Sequence, residues 1–121
     1  MKNLIKLTND SLVVIPQGVD HILTLKGRVT VPLKCVTKAT VSTDIFSRPL
    51  RALRLPGTSI PGVYYAGTYY QDNSKLFLNV KSTQKPLVIQ LHDTKYNQIV
   101  SGVANPTALA QQINAVVQAR Q

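Results

Sequence analysis

Glutamate is missing from this 121-residue chain, and aspartate occurs only five times. Acid–base chemistry by paired carboxylates would have to draw on two of Asp10, Asp20, Asp44, Asp72 and Asp93. All five sit near turn-forming residues, where a short carboxylate ordinarily bonds to turn backbone. Cysteine is reduced to Cys35 alone. An internal disulfide is therefore excluded, and a reducing, cytoplasmic compartment is expected. The thiol reads as a small, partly buried hydrophobe. Long apolar runs are missing as well. Lys6, Asn9 and Asp10 interrupt "MKNLIKLTNDSLVVIP" at the start. Neither a signal-peptide core nor a span of about 20 apolar residues is left.

The usual catalytic spacings are also lacking. His21, Cys35 and His92 are far apart, with no Cys-x-x-Cys or His-x-x-x-His pair to start a metal site. The stretch "VSGVA" (Val100–Ala104) lacks the first glycine of a nucleophile elbow. His92 and Asp93 are adjacent, so on a strand they would point to opposite faces and could not act as base and orienter. No catalytic, metal or cofactor residues are assigned, no cofactor is expected, and the chain reads as a non-enzyme.

What is abundant is positive charge. Fourteen Lys and Arg give a formal net charge of +9. Lys26, Arg28, Lys34, Lys38, Arg48, Arg51 and Arg54 lie close together in the sequence with only Asp44 among them. Such a field attracts acidic proteins, anionic lipid headgroups or nucleic acid. In "RPLRALRL" (Arg48–Leu55) the arginines recur every third residue with leucines between. The candidate anion- or partner-binding residues are Lys26, Arg28, Arg48, Arg51 and Arg54.

Period-two alternation with β-branched residues runs through most of the chain. Strands are expected at Asn3–Leu7, Leu12–Ile15, Arg28–Leu33, Val36–Thr43, Val63–Tyr70, Leu76–Ser82, Pro86–His92 and Gln98–Ala104, with "VDHILTLK" (Val19–Lys26) in uncertain register. Leu76, Leu78 and Val80 should share one face with Phe77 on the other; Leu87, Ile89 and Leu91 should lie together. Asp44–Gly62 reads as irregular. Within it, Pro56-Gly57 and Pro61-Gly62 suit successive type II turns. No lysine and no helix follow those glycines, so the segment is not a phosphate-cradling loop. Gly67, inside a strand, suggests a bulge or sharp bend. Tyr64, Tyr65, Tyr69 and Tyr70 alternate faces, so at most half could offer a stacking surface on either side.

The period changes after Ala104. Asn105 as N-cap and Pro106 in the first turn open a helix to about residue 120. Leu109, Ile113, Val116 and Val117 form its apolar stripe. One helix cannot cover both faces of a long sheet, so the sheet must bend on itself as a barrel or orthogonal sandwich, with the helix at an open end or side.

The segments "VPL" (Val31–Leu33), "LRLPGTSIPGVYYAGTYY" (Leu53–Tyr70), "LFLNV" (Leu76–Val80), "PLVIQL" (Pro86–Leu91) and "ANP" (Ala104–Pro106) resemble the bacterial PH-domain (pleckstrin-homology-like) family of uncharacterised proteins. The likeness runs from about Leu12 to the C-terminus, and the Pro-Gly and Gly-Thr segment is its most specific part. It implies one mainly β, PH-like domain over residues 1–121. That domain would be a strongly bent antiparallel sheet, or partly open barrel, of about seven strands over residues 3–104, closed by the helix. Phosphoinositide recognition does not carry over. The early turn "TNDS" holds Asp10 and no cation, while Lys26 and Arg28 flank a later hairpin. Fold alone does not name a function. The first reading is a non-catalytic interaction module for a protein partner or for a second copy of itself. Peripheral binding to anionic membrane lipid through the basic face is the alternative, and non-specific nucleic-acid binding ranks below both.

Overall fold

Residues 3–17, 28–42, 53–60, 64–71, 74–81 and 84–120 are described by the computed structural model, with backbone alone for 53–60, 64, 65 and 71. Nine strands and one helix form among them. Strands β1 (Asn3–Leu7), β2 (Ser11–Pro16) and β3 (Val29–Pro32) make an antiparallel sheet in that order. Pro32 has no amide N–H to continue the ladder. A 3-10 turn at Leu33–Cys35 follows it and leads the chain into the second sheet. That sheet holds β4 (Val36–Val41), β5 (Leu53–Ile60), β6 (Tyr64–Gln71), β7 (Ser74–Lys81), β8 (Pro86–Leu91) and β9 (Gln98–Gly102) in the order β4-β8-β9-β7-β6-β5. Helix α1 spans Pro106–Ala119.

The mainly β character and the C-terminal helix agree with the sequence, while one strand pairing departs from the expected antiparallel plan. Among the described residues the strands form two separate sheets and no closed barrel. Nor is the pairing wholly antiparallel: β7 and β9 run parallel, Leu76 opposite Gln98 through Asn79 opposite Ser101. The cause is the β8–β9 hairpin. Strand β8 passes beyond the neighbouring position to pair with β4, so β9 returns between β8 and β7 in the direction of β7.

The stretch expected to be irregular contains β5, and Pro56-Gly57 lies inside that strand rather than in a turn. The ladder to β6 moves from Arg54 opposite Tyr69 to Gly57 opposite Gly67, so Leu55 and Pro56 together face Thr68. A proline is tolerated at such a bulge on an edge strand. Gly67 takes φ 124° across from it, a backbone conformation that favours glycine. Pro61-Gly62 and "VDHILTLK" lie outside the described residues.

Alternation sorts the second sheet into two buried faces. Phe77, Leu87, Ile89 and Ile99 join Leu12, Val14, Val29 and Val31 of the first sheet and Ala110, Ile113 and Val117 of the helix in the main core. Leu76, Leu78, Val80, Val100 and Tyr69 cluster on the opposite face. The expected separation of Leu76, Leu78 and Val80 from Phe77 is therefore present, as is the shared face of Leu87, Ile89 and Leu91.

Two side-chain amides join these layers. Asn3 Nδ2 donates to the carbonyls of Asn79 (3.0 Å) and Gly102 (2.8 Å), and Asn79 Nδ2 donates to Asn3 Oδ1 (2.8 Å). This buried knot fixes the end of β1 over β7 and β9. At the other edge, Asn114 of α1 treats β4 as a neighbouring strand would. Its Oδ1 accepts from Ala39 N–H and its Nδ2 donates to Ala39 C=O, both at 2.8 Å. The helix begins as expected, with Pro106 in the first turn and the Asn105 side chain accepting from Ala108 N–H at 3.4 Å.

Replacing Asn114 by Ala leaves both Ala39 backbone groups unpaired beneath the helix and should lower unfolding stability by about 1–3 kcal/mol. Exposed Gln118→Ala should stay within about 0.5 kcal/mol of the parent in the same urea titration. Asn3→Ala should cost on the order of 1–3 kcal/mol, because it removes its bonds to two buried carbonyls and to the Asn79 amide. Exposed Leu4→Ala beside it should cost much less, and equal losses would show that the amide knot is not what holds β1.

Candidate anion-binding face

The turn between β8 and β9 is tied down on both sides. Toward the 3-10 turn, His92 N–H donates to Cys35 C=O at 2.8 Å, and Cys35 Sγ donates to Asp93 C=O at 3.7 Å. Asp93 sits at φ 55°, a left-handed conformation that aspartate adopts more readily than most residues. Toward β7, Asn97 clasps Lys75. Asn97 N–H donates to Lys75 C=O, and Lys75 N–H donates to Asn97 Oδ1, both at 2.7 Å. Leu91 N–H closes the turn on Asn97 C=O at 2.9 Å. His92 and Asp93 thus lie beyond the end of β8, in the turn rather than on alternate faces of a strand.

Grooves open on either side of this turn. The larger, about 440 Å³, lies between the 3-10 turn, the start of β4 and the last turn of α1. Leu33, Val36 and Val117 form its apolar floor, and Lys34, Thr37, His92 and Arg120 its polar rim. Thr37 is the extra residue where the β4–β8 register shifts between Val36 and Lys38. Its hydroxyl is 2.9 Å from His92 Nδ1, so the two hold each other in place. Arg120 is anchored by a bond from one guanidinium nitrogen to Asn9 C=O at 3.0 Å. Its backbone N–H caps Val117 C=O.

The smaller groove, about 160 Å³, is lined by Arg28, Val29, Thr30, Val31, Thr94, Lys95 and Tyr96. Tyr96 is buried edge-on against Phe77, with centroids 5.8 Å apart, and its hydroxyl is 3.4 Å from Thr68 Oγ1. Lys75 Nζ lies 5.2 Å and Lys95 Nζ 5.8 Å from the Tyr96 ring centroid, and Lys75 also reaches the Tyr70 ring at 5.7 Å. Such contacts are each worth about 0.5–1 kcal/mol at exposed sites. They keep these ammonium groups near one aromatic corner.

Cations from β3's approach, the 3-10 turn, β7, the β8–β9 turn and the helix end therefore surround one short loop. The two carboxylates among residues with described side chains, Asp10 and Asp93, line neither groove. Asp10 Oδ1 is taken up by the hydroxyls of Thr8 (3.3 Å) and Ser11 (3.2 Å), the turn role expected of it. The grooves carry ammonium, guanidinium, imidazole and hydroxyl donors, an inventory suited to oxyanions.

Of the five residues singled out from the sequence, Arg28 lies on this face. Lys26, Arg48 and Arg51 fall outside the described residues, and Arg54 is described only as a backbone position opposite Tyr69 on β5. Sequence reasoning missed Lys34, Lys75, Lys95, His92 and Arg120 as a group. Their common signal is the chain-wide shortage of acids, since only strand register and helix docking bring them together. No helix among the described residues is long and apolar enough to cross a membrane. No family model, curated protein or solved structure matches this chain.

Proposed function

We propose that this chain is a non-catalytic interaction module whose working surface is the basic face around His92–Asn97, and that its partner is an acidic segment of another protein. The observation carrying this reading is the convergence of Arg28, Lys34, Lys75, Lys95 and Arg120 on one loop whose two flanking grooves no described carboxylate lines. A charge field of one sign raises the encounter rate with acidic partners and selects against basic ones. The buried thiol of Cys35 suits a cytoplasmic setting.

Self-association through the helix or the β4 edge has less support. The helix spends Ala110, Ile113 and Val117 on the core, and Asn114 occupies the outward backbone groups of Ala39. Membrane docking would be aided by apolar side chains projecting beside the cations. The exposed large hydrophobics described, Leu4 and Tyr70, line neither groove. A pleckstrin-homology-like fold is the finer proposal. It draws support from the strand-rich body followed by one helix, while the parallel β7–β9 pair departs from an all-antiparallel plan. The binding proposal does not rest on it.

Fluorescence anisotropy with a short Asp- and Glu-rich peptide provides the test. Saturable binding should weaken steeply with salt. An Arg28→Glu/Lys95→Glu double variant should lose about tenfold in affinity, equivalent to about 1.4 kcal/mol. Preference for anionic vesicles or single-stranded nucleic acid over the peptide at equal ionic strength would overturn the acidic-protein reading.

A further inference from the structure

The larger groove differs from the rest of the basic face in how its donors are held. Elsewhere, lysine ammonium groups rest over tyrosine rings. Here Arg120 is fixed to Asn9 C=O across the helix end, and the imidazole of His92 is fixed to the Thr37 hydroxyl. The His92 main chain is itself tied to Cys35. Lys34 extends from a 3-10 turn whose first residue, Leu33, donates its N–H to Asp10 C=O at 2.9 Å. Donors held before the ligand arrives lose less freedom on binding.

Their number and placement point to one ligand class. A planar carboxylate can be satisfied by a single guanidinium fork. This rim offers an ammonium, a guanidinium and a further donor from the bonded Thr37–His92 pair, from three sides: the 3-10 turn, the bulged start of β4 with the residue after β8, and the end of α1. A tetrahedral dianion has the charge and the acceptor oxygens to engage that set. Anions are disfavoured beside a helix C-terminus. At this one, however, the Arg120 N–H turns back onto Val117 C=O and the guanidinium lies at the mouth, countering that field locally. The volume of about 440 Å³ exceeds what a bare oxyanion fills. The floor of Leu33, Val36 and Val117 suits the carbon chain that bears it.

We infer that this groove is a phosphate-monoester socket, formed by Lys34, Thr37, His92 and Arg120, and that it takes a phosphorylated side chain of the partner. The inference rests on the acidic-segment reading for the identity of the partner, but the phosphate socket itself does not. No exposed large apolar side chain described in the structure borders the groove, which favours a peptide over a membrane as the bearer of the phosphate.

The test is an amide NMR titration of the whole chain with inorganic phosphate, using chloride and acetate at matched ionic strength as controls. Phosphate should produce saturable shifts confined to Lys34, Thr37, His92 and Arg120 and their neighbours, several times larger than those from acetate. Lys34→Glu should weaken phosphate binding at least tenfold. Lys85→Glu, an equal change in net charge at an exposed residue preceding the opposite end of β8, should change it less than twofold. Equal shifts with chloride, or equal losses in the two variants, would overturn the socket. A phosphoserine peptide should then bind more tightly than its unphosphorylated form. If phosphatidic-acid vesicles bind while that peptide does not, the phosphorylated-side-chain assignment falls. Phosphate binding in the groove with no binding of acidic peptides would instead sink the acidic-segment reading and leave the socket standing.

Discussion

The bidentate amide contact between Asn114 and Ala39 sets the geometry on which the basic face depends. A helix lying along a sheet edge can slide, because apolar packing is non-directional. Two hydrogen bonds to the N–H and C=O of one residue remove that freedom. With Asn114 seated on Ala39, Val117 is carried to the floor of the larger groove and Arg120 to its mouth, within reach of Asn9. The same contact spares β4 an exposed pair of backbone groups, a frequent site of unwanted strand pairing. One mid-helix asparagine thus closes an edge, registers the helix and positions a cation.

The second constraint is the way the two sheets meet. A barrel would join them through a continuous backbone ladder. Here the joint at β1 is made by the amide of Asn3, which reaches the carbonyls of Asn79 and Gly102 on two parallel strands. Those carbonyls come close together only because β9 lies beside β7. The unexpected parallel pair and the buried asparagines are therefore one feature: the strand order creates the acceptors, and Asn3 satisfies them. Supplying a donor to those carbonyls matters, since a buried polar group left unpaired costs more than a hydrogen bond gains.

Local patterns made much of this legible in the sequence. The alternation in Leu76–Val80 and Pro86–Leu91 placed its side chains on the faces they occupy, and Asn105-Pro106 marked the helix start. What failed was non-local. Pro56-Gly57 has the chemistry of a turn, yet on an edge strand a bulge opposite Thr68 accommodates it, and Gly67 across the ladder absorbs the conformational demand. The parallel β7–β9 pair leaves no signature in either strand, because it follows from which neighbour β8 chooses. Asn114 lies off the apolar stripe of Leu109, Ile113, Val116 and Val117, and nothing in its own segment announces the backbone of Ala39.

The same division explains why the site was only partly readable. Charge excess is a property of composition, and it raises the expectation of an anionic partner. It could not say where cations meet, because Lys34, His92 and Arg120 are far apart in sequence and are joined by the β4–β8 ladder and the helix dock. A run such as "RPLRALRL" draws the eye because its charges are adjacent in sequence. Adjacency along a chain does not by itself bring charged groups to one site. Convergence through the fold is different. It holds like charges together against their repulsion, with packing and hydrogen bonds supplying the restraint. Arg120 held at Asn9 and His92 held by Thr37 line the same groove as Lys34. The proposed oxyanion would meet donors that the fold, rather than the local sequence, has brought together.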